Sequence, residues 1–500
     1  MIKKILLNFI LIFFISLVII LIVLSTLGIE TKKFNKLISS KINQTNKIQL
    51  ELNTINFKLD PKKLSLFLET QKPKIEYLGI SIPTQNVKVY IDFLPIFKTN
   101  LKIKRINLLL DEIDFVELKA LSKFIKPSNF KKILNNKIKS GKIISQIDFF
   151  LNNQGKLDNY IIKGDVKNLK LDIFSNLFLT NTKFSFFADR EDILIKNIFG
   201  NVDDIEIKNG DIKLNLENGV ELNSNFNSNI NLNTEKINKF NDLLKKFNLA
   251  VSIKELNGNF NNNILINFDK TYKVTNYIFK FSGKVKKSKI DLLKTIENNF
   301  DIGEINEIFL SDTQFDLDID KNNLNLGVNG KYSLNNLDFL QLELNSNFRN
   351  DLIKINTNFD FKENFYLNLI NYKKPKDKIA KVSIDFEKNQ NRLNIKKFNF
   401  KEKNNFLSIS NLKFRGNNFE SLEKINIDTK NNSFSIEWDK KIMIKGNRFD
   451  ATNLPKLLTQ QGASNKFKKI NTNIEIDFKN IKVPLSEKLE NFRLIGKIKK

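Results

Sequence analysis

The stretch DIEIKNGDIKLNL, residues 204–216, decides how the chain is read. With Asn209 and Gly210 as a two-residue turn, Ile207 faces Ile212 and Ile205 faces Leu214 on one side. On the other side Lys208 meets Asp211 and Glu206 meets Lys213. Asn-Gly suits a type I′ turn because both positions tolerate positive φ, and opposite charges across the strands support that register. The segment therefore reads as a hairpin with one apolar and one polar face. Leu216, Val220 and Leu222 continue the apolar side through a loop with Gly219 in the left-handed position.

Outward from this segment the alternation recurs. Tyr160, Ile162 and Val166, then ILINF (264–268), FDLDID (315–320), NLNLGV (323–328) and SIDFEK (383–388) all step at period two. Three stretches read as helical interruptions: 235–247, 289–300 and 453–461. No fixed repeat length emerges, which argues against a solenoid. The chain is rich in Asn, yet 41% of it is hydrophobic and the bulky residues are regularly spaced, so ordered β-structure is expected rather than disorder.

Before residue 140 the pattern is mixed. Between Ile5 and Leu24 only Asn8 and Ser16 are polar, enough length to cross a bilayer as a helix and too long for the core of a cleaved signal. Lysines flank both ends, so the charges alone leave its orientation open. Phe34, Leu37, Ile38 and Ile42 suggest a short amphipathic helix over Thr31–Asn46. A phase change near Asn53 and Thr54 marks a bulge or turn. VKVYIDFLPIFKTNLKIKRINLLL (87–110) reads as two strands linked at Leu94-Pro95. Helices follow over Val116–Ile125 and from Ser128 to Ile138.

Composition removes many functions. The 500 residues contain no His and no Cys, which excludes Ser-His-Asp and Cys-His catalysis, imidazole or thiolate metal sites and disulfides. Acidic groups such as Asp203-Asp204, Asp111-Glu112-Ile113-Asp114 and those in FDLDID are the residue types of acid–base chemistry, but alternate carboxylates in strands line a solvated face beside lysines. No catalytic residue, cofactor or metal site is assigned. The net charge of +27 is spread along the strands, without the basic stripe of a nucleic-acid binder; attraction to anionic lipid headgroups is the more natural consequence.

The anchor Ile5–Leu24, the segment Thr31–Asn46, ELNTINFKLDP (51–61) and above all VKVYIDFLPIFKTNLKIKRINLLLDEIDFVEL (87–118) resemble the AsmA-like proteins of the Gram-negative envelope, the group that includes YhdP and TamB. The likeness covers about the first 130 residues and is one of style beyond them. It implies an amino terminus in the cytoplasm, most of the chain in the periplasm, and an elongated, twisted antiparallel sheet forming a U-shaped hydrophobic groove. In such a groove phospholipid passes between inner and outer membranes. Three regions are then expected: a stub and anchor at 1–30, a helix/strand/helix module at 31–140, and an extended β-groove at 141–500 that ends without a recognisable terminal module.

The resemblance makes Ile205, Ile207, Ile212, Leu214, Leu216, Val220 and Leu222 candidates to line the groove. Alternation alone is equally compatible with a filled β-sandwich. The expected partners are phospholipid and the inner membrane. A second reading, from another class, is a membrane-anchored assembly factor for outer-membrane proteins.

Overall fold

The computed structural model describes residues 2–32, 35, 39, 48–61, 65–91, 103–123, 129–174, 177–217, 219–240, 251–271, 273–296, 304–334, 336–416, 418–459, 472–484 and 488–498. The protein is mainly β, with one long apolar helix at the amino terminus and a few short helices. It divides into two compact units: residues 1–227 with 266–275, and residues 228–265 with 276–500.

Unit one opens with the helix Ile2–Thr26, whose 20-residue segment Leu7–Thr26 is long and apolar enough to cross a membrane. Gly28, at φ +76°, ends it and donates from its backbone N–H to Val23 O at 2.8 Å, a left-handed cap that suits glycine. The chain then enters the sheet directly: strand Ile29–Thr31 pairs antiparallel with Ile55–Asp60, Ile29 opposite Phe57. Antiparallel partners follow in order: Ser65–Gln71, Thr84–Ile91, Ile103–Leu110, Ile138–Leu151, Leu157–Phe174, Leu177–Ala188, Asp192–Val202 and Ile205–Asn215.

A separate three-stranded sheet, Ile48–Glu51, Lys74–Tyr77 and Ile80–Ile82, belongs to the same unit. The phase change at Asn53 and Thr54 is the point where the chain leaves this small sheet for the large one. Helices Phe115–Ser122, capped by the Asp114 side chain at Val116 N, and Asn129–Asn136 cover Val166 and Leu169, and Phe115 and Leu134 complete that buried cluster. The helix expected over Thr31–Asn46 lies largely outside the described residues, and Thr31 itself is strand. Leu94-Pro95 also lies outside them.

In unit two, strands from Val274–Ile296 through Ser433–Trp438 to Lys441–Asp450 pair antiparallel in sequence order. Among the described residues of this unit, one pairing departs from the expected antiparallel sheet. Lys441–Asp450 pairs parallel to Thr472–Lys482, a pairing that needs a crossover connection, and helix Leu454–Thr459 lies in that connection.

The core of this unit gathers Phe361, Ile370, Tyr372, Val382, Phe400 and Phe434 around a short hairpin, Phe365–Leu367 with Tyr372–Lys374. Polar pins hold that hairpin in place. Asn432 is fully buried; it donates to Ile370 O at 2.8 Å and accepts from Asp450 N at 2.9 Å. Lys374 Nζ, also buried, donates to Lys362 O, Glu363 O and Pro375 O over the Phe361 ring.

Of the expected interruptions, 453–461 forms helix Leu454–Thr459 and 235–247 gives only Thr234–Asn238 within the described residues. The third reading is overturned. Lys289 to Ile296 continue the strand Val274–Ile296, where Ile290 pairs with Ile308 and Lys289 Nζ meets Glu307 Oε1 at 2.6 Å. A cross-strand partner outweighs a sequence pattern that suits a helix equally well.

Candidate apolar face

The segment 204–216 is not a hairpin. Ile205–Asn215 is one unbroken strand, and the turn lies earlier, at Asp203 and Asp204, with Asp203 at φ +49° and Val202 opposite Ile205. Asn209, at φ +51°, is instead the extra residue of a β-bulge inside the strand. Across it the register passes from Gly200↔Ile207 to Ile198↔Gly210 and on to Ile195↔Ile212 and Ile193↔Leu214.

Opposed residues share a face. Ile205, Ile207, Gly210, Ile212 and Leu214 therefore lie together with Val202, Gly200, Ile198, Ile195 and Ile193. The four isoleucine and leucine candidates share a face because of the bulge, since strict alternation would have split them. The charge pairs differ accordingly: Lys208 Nζ meets Glu206 at 2.8 Å and Lys213 Nζ meets Asp192 at 3.5 Å, both exposed.

The same device runs through four successive strands. Asn168, Asn181, Asn197 and Asn209 all have φ near +50°. Each sits in a four-residue step that keeps the apolar face on one side: VKNL (166–169), LTNT (179–182), IKNI (195–198) and IKNG (207–210). Asn tolerates the left-handed region better than other residues with a side chain. Unit two repeats the step at LSDT (310–313) and ISNL (409–412), with Asp312 at φ +49° and Asn411 at φ +48°. The sequence reading missed these bulges; the signal that would have found them is Asn or Asp third in a step that begins and ends with apolar or small residues.

Register links the face back to the amino-terminal helix. One cross-strand row reads Thr31, Ile55, Thr70, Val87, Leu108, Ile147, Ile162, Ala188, Ile193, Leu214. At about 4.8 Å per strand this row extends roughly 40 Å. After Thr31 its only polar member is Thr70.

The opposite face of these strands is polar and aromatic. Glu69 takes Lys58 Nζ at 2.8 Å and Asn86 Nδ2 at 2.6 Å, with Lys88 at 3.4 Å. Burial pushes its carboxyl up, but these donors and charges outweigh that and hold it below the ordinary value. Beside it, Arg105 and Asn107 donate to Asp148 at 2.8 Å and 2.6 Å, and Arg105 lies over the Tyr90 ring.

Ile205, Ile207, Ile212, Leu214, Leu216, Val220 and Leu222 are all half-buried, while the buried clusters lie where helices or the short hairpin cover a sheet. Gly219 has φ +113°, as a left-handed loop position requires. The chain matches no family model, no curated protein and no solved structure.

The remaining candidates fall in structural roles. Asp203 and Asp204 form a turn, Asp320 accepts from Asn322 N and Asn323 N in another, and Glu112 pairs with Lys142 at 2.5 Å. Trp438, the single tryptophan of the sequence, stacks on Phe419 with ring centroids 4.2 Å apart. Among the described residues, no three acidic groups converge on a space that would hold a metal ion.

Proposed function

We propose that the protein is a single-pass inner-membrane protein whose apolar β-face carries phospholipid acyl chains through the periplasm between inner and outer membranes, as the resemblance to AsmA-like proteins suggests. The supporting observation is the row from Thr31 to Leu214: its first strand follows the apolar helix within five residues, and it stays on one face across nine further strands. Acyl chains leaving a membrane lose roughly 0.8 kcal/mol per methylene to water. An apolar strip lowers that cost while headgroups stay beside the lysines of the rim. No bond is made or broken.

Native mass spectrometry of the full chain extracted in mild detergent tests this reading. Several phospholipids per chain, lost in Ile207→Asp and Leu214→Asp, are expected; a folded, lipid-free protein contradicts it. A second reading, an assembly factor that pairs with outer-membrane proteins by edge addition, draws on strand Lys488–Ile498. There both Leu494 and Ile495 are exposed although consecutive residues point to opposite faces. That reading expects substitutions in 488–498, and not at Ile207, to disturb function.

A further inference from the structure

A cavity of about 220 Å³ lies within unit one, where the small sheet meets the apolar face of the large one. Leu50 and Ile75 line it from the small sheet; Ile55, Val87, Leu108 and Phe149 line it from the large sheet. Glu69 also borders it, but its carboxylate is engaged by Lys58 and Asn86. One polar side chain stands out. Thr70 lies in the row between Ile55 and Val87, is only 5% exposed, and its Oγ1 has no hydrogen-bond partner among the described residues.

Apart from Thr70 and the engaged Glu69 the lining is apolar, whereas a bound water needs two or more polar contacts. A buried hydroxyl without a partner is destabilising, and valine would fill the same space without that penalty. The observation therefore points to an occupant with an apolar body and one hydrogen-bond acceptor. Register says where it would come from: Thr70 is two strands from Thr31, about 10 Å, and Thr31 lies five residues beyond the end of the apolar helix at Thr26.

We propose that this cavity binds the carbonyl end of a lipid acyl chain. The first methylenes fill the space against Leu108 and Phe149, and the carbonyl oxygen accepts the Thr70 hydroxyl proton. The small sheet is then the cover of a first station on the apolar face, reached before the row continues to Leu214. This inference rests on the lipid-path reading only for the source of the lipid.

The test places a tryptophan reporter in the cavity, Phe149→Trp with Trp438→Phe, in the full chain reconstituted into phosphatidylcholine nanodiscs. Two quenchers are compared: 9,10-dibromostearic acid, and phosphatidylcholine carrying the same brominated chain. Quenching by either supports the site, and the effective one identifies the source. Thr70→Val should raise the quencher fraction for half-maximal effect roughly fivefold, the worth of one hydrogen bond, and Thr70→Ser should restore it. No quenching by either probe, as when the chain's own residues fill the space, overturns the proposal, as does equal quenching in Thr70→Val. If quenching fails while phospholipid is still retained in a manner sensitive to Ile207→Asp, this site falls and the path stands; if both fail, the path falls too.

Discussion

The Gly200 backbone lies so close to Thr182 that a Cβ on the glycine would come within 2.4 Å of the Thr182 Oγ1. Unit two contains the same relationship: a Cβ on Gly330 would lie 2.4 Å from the Thr313 Cα and 2.7 Å from its Oγ1. Both threonines are fully buried, and each donates to a carbonyl two residues back, Thr180 O at 3.2 Å and Ser311 O at 3.0 Å. A bulge folds the threonine over the neighbouring strand, and only glycine leaves room beneath it. Gly200→Ala and Gly330→Ala should each destabilise their unit by about 1–3 kcal/mol in urea unfolding. A neutral result at both would contradict the packing.

Asn209 supports a second expectation. At φ +51° a β-branched residue is strained, so Asn209→Val should cost about 1–2 kcal/mol. Asn209→Gly should be close to neutral, because glycine adopts the same conformation freely. Were the Asn-Gly pair a hairpin turn, Gly210 would need positive φ and Gly210→Ala would be the strained change for that reason. In the strand, Gly210→Ala meets Ile198 Cβ at 2.9 Å instead, so Ile198→Gly, which removes that atom, should relieve part of its effect in a double-mutant cycle. Chemical denaturation of the single and double variants distinguishes the two geometries.

Glu69 gives the unit a pH dependence with a definite sign. Its folded-state carboxyl is held below the ordinary value of 4.5 by Lys58, Asn86 and Lys88 despite burial. The stabilisation is fully present above that ordinary value and is lost as pH falls through the lower folded-state value. Thermal melts of the native chain should therefore drop in the acid range below about pH 4.5, and Glu69→Gln should flatten that slope. An unchanged slope would mean the network does not respond to protonation.

Lys374 pins three backbone carbonyls, those of Lys362, Glu363 and Pro375. Burial lowers the pKa of its ammonium group, so the charge is kept at some cost in return for the hydrogen bonds. Lys374→Met retains apolar volume but leaves Lys362 O, Glu363 O and Pro375 O unpaired. A loss of roughly 2–4 kcal/mol is expected, with protease sensitivity rising first between 362 and 376. Stability equal to the native chain would show that those carbonyls find other partners.

The β class and the membrane-length helix were legible because both rest on composition and period, which a single sequence carries. Which residues of 204–216 share a face was also legible, although the geometry was not. Asn-Gly favours positive φ in a turn and in a bulge alike, and what selects the bulge is the ladder offered by Ile193 to Val202, which local sequence does not display. Residues 289–296 were misread for a related reason. Lys, Ile and Leu at those spacings satisfy a helix, and only the partners Glu307 to Phe309 make the strand. The cavity beside Thr70 was invisible at that level, since it arises from two sheets meeting.

The claim that the apolar face is a lipid path is tested most directly by site-specific photocrosslinking in cells. A photoreactive phenylalanine analogue is placed in turn at Ile147, Ile193, Ile207, Ile212 and Leu214, and at Lys208 and Lys213 on the opposite face. The account predicts phospholipid adducts at the first five positions and none at the two lysines. Adducts on both faces alike, or on neither, would contradict it.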